Sequence, residues 1–135
     1  MVLPIIGFAV ALFVVNVAGS WLGLALHVSG TGSNDNVSRA MLTNFHQLGW
    51  SVFLAASAGI GEEILFRGAL QPRFGLIVTS LAFASLHIQY DWFGMVLVAI
   101  LGLTLGIERK KYGTTASILS HLLYDLIGLV LIFSK

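Results

Sequence analysis

The chain has 135 residues, 57% of them hydrophobic and 10% charged, with net charge +1 and no cysteine. A soluble domain carries about a quarter charged residues, so this composition excludes one and points to a polytopic membrane protein. The absence of a basic stripe or phosphate loop argues against a nucleic-acid partner, and the lack of cysteine excludes disulfides and thiolate metal sites.

A spanning helix needs about 20 mostly apolar residues. Residues 1–28, "MVLPIIGFAVALFVVNVAGSWLGLALHV", lack the basic start of a signal peptide. They read as a retained spanning helix over about 3–28, with Trp21 and His27 at the interface. The polar stretch "SGTGSNDNVSR", 29–39, is the one break in composition. It divides an N-terminal helix and loop, 1–40, from the remainder, 41–135. That remainder predicts a helix over 41–71, a turn at "QPRFG" (71–75), a helix over 76–89 and a turn at "QYDWFG". A helix over 93–108, a basic loop "RKKYG" (109–113) and a helix over 114–133 complete it. The expected fold is an all-α transmembrane bundle of about five spanning helices. The turns at 71–75 and 109–113 share one side and carry Arg73, Arg109, Lys110 and Lys111, against Arg39 and Lys135 opposite. Positive residues favour the cytoplasmic face, so both basic turns and the N-terminus are expected there.

An ionisable side chain at the bilayer centre costs about 2.5–3.5 kcal/mol on insertion scales. The chain places six such residues in its apolar regions: Glu62, Glu63, Arg67, His87, His121 and Asp125. Glu63 and Arg67 are i,i+4 and can pair on one helix face. Glu62 points about 100° away and has no opposite charge one turn from it. His121 and Asp125 are also i,i+4, and a carboxylate one turn from an imidazole can fix its tautomer and raise its basicity. Each group also has a plain structural reading, as a neutral pair, a packing pair or a hydrogen-bonded core histidine. Depth favours a site. Glu62 and His87 lie equally far from the turn near 74–75, roughly 18–20 Å along their helices. From the turn near Lys111, His121 lies about 15 Å and Asp125 about 20 Å away. Asp91 reads as a loop charge, and His27 and His46 as interfacial. Gly102 and Gly106, with the small residues of 55–61, read as close-packing positions.

One carboxylate, two histidines and an acidic partner have two main uses. Zn²⁺ could be held by His87, His121, Asp125 and Glu62 with an open water position. Without a metal, Glu62 can act as general base on a water, helped by His87, while His121 and Asp125 polarise the carbonyl or stabilise the oxyanion. Both uses end in hydrolysis of an acyl bond inside the membrane. A proton relay in a transporter is a third use, disfavoured by the lack of an inverted repeat.

Three motifs then stand in order: "EEILFRG", "FASLH" and "HLLYD". They resemble the Glu-Glu-x-x-x-Arg, Phe-x-x-x-His and His-x-x-x-Asn/Asp motifs of the CPBP family. These are the CAAX protease and bacteriocin-processing intramembrane endopeptidases, also called Abi. The resemblance covers about residues 45–130. It implies a four-helix catalytic core within 41–135 and a catalytic set of Glu62, His87, His121 and Asp125, with Glu63 and Arg67 supporting. It also implies a membrane-associated peptide or protein substrate, lipidated or bacteriocin-like. A prokaryotic plasma membrane and a site open to the cytoplasmic side are expected with it. Two features depart from the family pattern. Members typically carry more helices before the first motif. Asp125 stands where the prenyl endopeptidases have Asn, and a carboxylate cannot donate a hydrogen bond unless protonated. Asp125 therefore suits metal ligation or orientation of His121 better than an oxyanion role. The alternative function is a catalytically silent membrane partner or bacteriocin self-immunity factor on the same scaffold.

Overall fold

The computed structural model of the chain describes residues 1–28 and 48–133. Expectations for the loop at 29–39, the helix start at 41, Arg39, His46 and Lys135 lie outside the described residues. The elements are α1 (Val2–Ala25), α2 (Leu48–Glu63), a π-helical segment (Ile64–Leu70), α3 (Gln71–Ser85), α4 (Trp92–Tyr112) and α5 (Thr114–Phe133). No strand occurs among the described residues, so the bundle is all-α, as the composition predicts.

Helices α1, α4 and α5 are long and apolar enough to cross a membrane. Large side chains such as Val10, Val14, Trp21, Leu24 and Val130 face outward, which suits a lipid solvent rather than water. Helix α2, the π segment and the first residues of α3 form one rod, and Gly75 ends it with φ 80° and ψ 173°. That conformation is essentially restricted to glycine, so the expected turn falls on a single residue. Thr79 and Ser80 donate back to the carbonyls of Gly75 and Leu76 at 2.7 and 2.8 Å, which keeps both hydroxyls satisfied without water.

Two boundaries differ from expectation. The return arm of α3 ends at Ser85, not near 89, and extends only about 15 Å past Gly75. The amides of Leu86 and His87 turn back to Phe83 and Ala84, tightening the last turn and leaving His87 just beyond the helix. The basic residues Arg109, Lys110 and Lys111 form the last turn of α4 rather than a loop, where cations complement the helix dipole. Gly113, at φ 89°, then supplies the turn to α5.

Helix α4 packs along α3, α5 along α2, and α1 against both α4 and α5. The core cluster is Phe66, Phe83, Ala84 and Val98, with the Phe66 and Phe83 rings edge-on at 5.3 Å. The expected glycine packing of α4 is present. A side chain at Gly106 would run into Leu76, and one at Gly102 would meet Phe83 and Ser80. These bare stretches expose carbonyls to the neighbouring rod. Arg67 donates to the Gly102 carbonyl at 3.1 Å and Gln71 to the Gly106 carbonyl at 2.8 Å. Two side chains one turn apart thus hold two carbonyls one turn apart.

Candidate active site

The rod formed by α2 and the π segment carries Glu62 and Glu63 at their junction and turns Glu63 into the bundle interior. At Gly59, one turn earlier, α2 runs close to α5: a Cβ there would stand in ordinary contact, 3.4 Å from Asp125 Oδ2 and 3.8 Å from His121 Cγ. Glu63 is fully buried. Its Oε1 lies 3.0 Å from Arg67 Nη1, the i,i+4 pair expected from the sequence. This is an ion-pair contact in which the Nη1 hydrogens do not aim at the carboxylate. The same Oε1 lies 3.1 Å from His121 Nδ1. Arg67 is equally buried, with its guanidinium 4.3 Å above the centre of the Phe83 ring.

His121 therefore has a different orienting partner from the one its spacing suggests. Asp125 Oδ2 is 3.8 Å from His121 Nε2, too long for a hydrogen bond, while Glu63 holds Nδ1. The reason is the close approach of α2 at Gly59, which carries Glu63 into the turn of α5 where His121 lies. Glu63 and Arg67 consequently form a triad with His121 rather than a self-contained pair. His87 Nδ1 lies 2.9 Å from the Phe83 carbonyl. A carbonyl only accepts, so the proton sits on Nδ1 and the Nε2 lone pair is left open. Phe83 separates the histidines, its ring centre 4.8 Å from His87 and 6.3 Å from His121.

A cavity of about 170 Å³ joins these groups. His87, His121 and Asp125 line it together with Tyr90, Tyr124 and Asn16, and its remaining wall includes Leu97, Leu101 and Leu105. Glu62 is half-buried and is not part of this lining. It lies within electrostatic range of Arg67, His121 and Asp125. Three of the four expected site residues thus share one cavity, and Glu62 lies outside its lining.

Both imidazoles hold Nδ1 on an acceptor and leave Nε2, an orientation that metal-ligating histidines also use. Among the described residues, however, no three His, Asp or Glu side chains are placed to hold one ion. The arrangement does not fit the zinc site considered above.

The family profile described as type II CAAX prenyl endopeptidase, Rce1-like, matches residues 44–127, more than half of the chain. The chain belongs to the Rce1-like CAAX endopeptidase family. Its three motifs fall inside that match. The Rce1-like assignment agrees with the resemblance read from those motifs. The chain is also similar to the uncharacterized protein YpbD of Bacillus subtilis (strain 168), at 38% identity over 64 residues. That match covers 46% of this chain and 34% of the relative, so it spans about a third of the relative's length. No solved structure matches.

Three polar groups escaped the sequence reading. Asp91 is more than a loop charge: its carboxylate caps α4 by accepting from the Gly94 amide at 2.8 Å, which suits an N-cap. Glu108 is fully buried and accepts from Ser120 at 2.6 Å. Its place next to Arg109 makes it look like part of a charged loop. Asn16 donates to the Tyr124 hydroxyl at 2.8 Å across the cavity. A lone amide in the middle of a strongly apolar helix was the available signal for it.

Proposed function

We propose that the chain is an intramembrane endopeptidase that hydrolyses a peptide bond of a membrane-associated substrate. The carrying observation is that His87, His121 and Asp125 line one cavity in a chain of this family. The cavity, about 170 Å³, has room for a water and a carbonyl, and its wall mixes these polar side chains with leucines from α1 and α4.

Glu62 takes the proton of the attacking water, and the open Nε2 of His87 accepts the other water hydrogen and aims the oxygen. The water oxygen bonds to the scissile carbonyl carbon, whose π electrons move onto its oxygen. His121 faces that oxyanion with Nε2. Glu63 on Nδ1 orients the ring, and in the imidazolium form Nε2–H donates to the developing charge. The C–N bond then breaks as Glu62 returns its proton to the leaving amine. Asp125 adds negative potential beside His121 and favours the same imidazolium. No step uses a metal. The basic turns at Arg73 and at Arg109–Lys111 favour a cytoplasmic position, so the substrate enters from that leaflet.

The test is purified full-length protein with a farnesylated peptide ending in Cys and three further residues, and with a peptide library. Glu62→Gln is expected to lower kcat by roughly 10²–10⁴. Equal cleavage by wild type and Glu62→Gln would remove Glu62 from the role of base.

A further inference from the structure

One wall of the cavity comes from α1, which lies outside the matched residues 44–127. The inward stripe of α1 is Ala9, Leu12, Asn16, Gly19 and Gly23, spaced by three and four residues as one helix face requires. Ala9, Leu12, Gly19 and Gly23 are buried. Asn16 is the polar member of that stripe, in a helix whose mean hydropathy reaches 2.4. A lone amide in a spanning helix commonly joins helices by one hydrogen bond. Asn16 does so with one end of its amide, donating to Tyr124 on α5. Among the described residues, the other end has no hydrogen-bond partner. Turning the amide over would exchange which end is engaged and still leave one end open.

Asn16 lines the same cavity as His87, His121 and Asp125. Leu12, one turn before Asn16, and Ser20, one turn after it, also line that cavity. A peptide that displaces water from this cavity must find new partners there for its backbone N–H and C=O groups. An amide side chain can serve either group.

We propose that α1 forms part of the substrate site, with the open end of the Asn16 amide hydrogen-bonding a backbone peptide group of the substrate beside His121 and Asp125. This rests on the peptidase reading above. It makes Asn16 a substrate-binding residue and Tyr124 the group that positions it.

Two measurements on the full chain test this. The chain has no cysteine, so a single introduced thiol reports alone. Asn16→Cys is expected to react with a charged methanethiosulfonate, because thiolates form in water and not in hydrocarbon. Val14→Cys, on the outward face of α1, is expected to resist it. The farnesylated peptide should slow the reaction at position 16. In kinetics, Asn16→Ala should raise KM roughly five- to tenfold, the worth of one hydrogen bond, with kcat little changed. Tyr124→Phe breaks the same helix-to-helix bond but keeps the amide, and should raise KM less. Asn16→Gln should recover part of the loss. Asn16→Cys reacting no faster than Val14→Cys overturns the inference, as do equal KM shifts in Asn16→Ala and Tyr124→Phe. Cleavage by wild type with an unshifted Asn16→Ala overturns it alone. No cleavage by wild type overturns the peptidase reading and the inference with it.

Discussion

The Glu63 carboxylate meets the His121 ring at 3.1 Å, joining α2 to α5 across 58 residues of chain. The oxygen that makes this contact also pairs with Arg67, which reaches on to the Gly102 carbonyl of α4 and the Phe83 ring of α3. One buried carboxylate therefore ties the rod carrying the first motif to every other helix of the matched region. Its second oxygen has no hydrogen-bond partner among the described residues.

Removing Glu63 and Arg67 together should harm the fold less than the two single removals summed. Glu63→Ala strands a buried guanidinium and should lower unfolding stability by about 3–5 kcal/mol. Glu63→Ala with Arg67→Ala should cost less than the sum of the two single changes, because the two residues share one interaction. Denaturant titration of the four proteins in detergent closes the cycle, and additive losses would contradict the coupling.

His87 contacts the fold mainly through the Phe83 carbonyl and ring. His87→Ala is expected to reduce peptide hydrolysis by roughly 10²-fold or more while the unfolding midpoint moves little. Parallel turnover and thermal-melt measurements separate the two effects. A large drop in the midpoint would make His87 a structural residue.

The glycines should separate by surroundings. Gly106→Ala drives a methyl into Leu76 and toward Gln71 and should cost about 1–3 kcal/mol. Gly75→Ala forces a side chain into a glycine-only conformation, again at about 1–3 kcal/mol. Gly128 has nothing within 4 Å of an added Cβ, so Gly128→Ala should be neutral or stabilising by roughly 0.5–1 kcal/mol. Melting curves of the three variants give the ranking directly.

Ser120 donates to Glu108, and both side chains are fully buried between α4 and α5. Ser120→Ala leaves that carboxyl without its donor and should cost about 1–3 kcal/mol. Ser120→Thr keeps the hydroxyl and should recover part of the loss where its methyl fits. Equal stability of Ser120→Ala and wild type in denaturant would show the bond to be idle.

Chelation is expected to leave peptide cleavage unchanged, because no three described His, Asp or Glu side chains converge on one point. Activity assayed before and after dialysis against EDTA checks this. A loss restored by Zn²⁺ would require the histidines and carboxylates to rearrange around an ion.

Local spacing carried much of this site. The Glu63–Arg67 contact follows from i,i+4 geometry, and the turn at Gly75 follows from a glycine after a proline. What spacing cannot carry is which neighbour arrives from another helix. Glu63 and Glu62 are adjacent in sequence, and only the approach of α5 at Gly59 gives Glu63 the His121 contact. Asn16 and Tyr124 lie 108 residues apart, beyond any periodic pattern. The early end of α3 was hidden because "SLHI" has no breaker residue. The π segment was hidden because its wider winding leaves no mark in composition.

That segment, Ile64–Leu70, follows the carboxylates, contains Arg67 and ends just before Gln71. A stretch wound wider than an α-helix accommodates residues that a regular helix would turn elsewhere. Shortening it by one residue would rotate everything beyond it by about 100°. Gln71 would then swing off the Gly106 carbonyl while Glu62 and Glu63 stayed put. The segment acts as a phase adjuster in the rod, turning Gln71 and the start of α3 toward α4 where an unbroken α-helix of this sequence would aim them elsewhere.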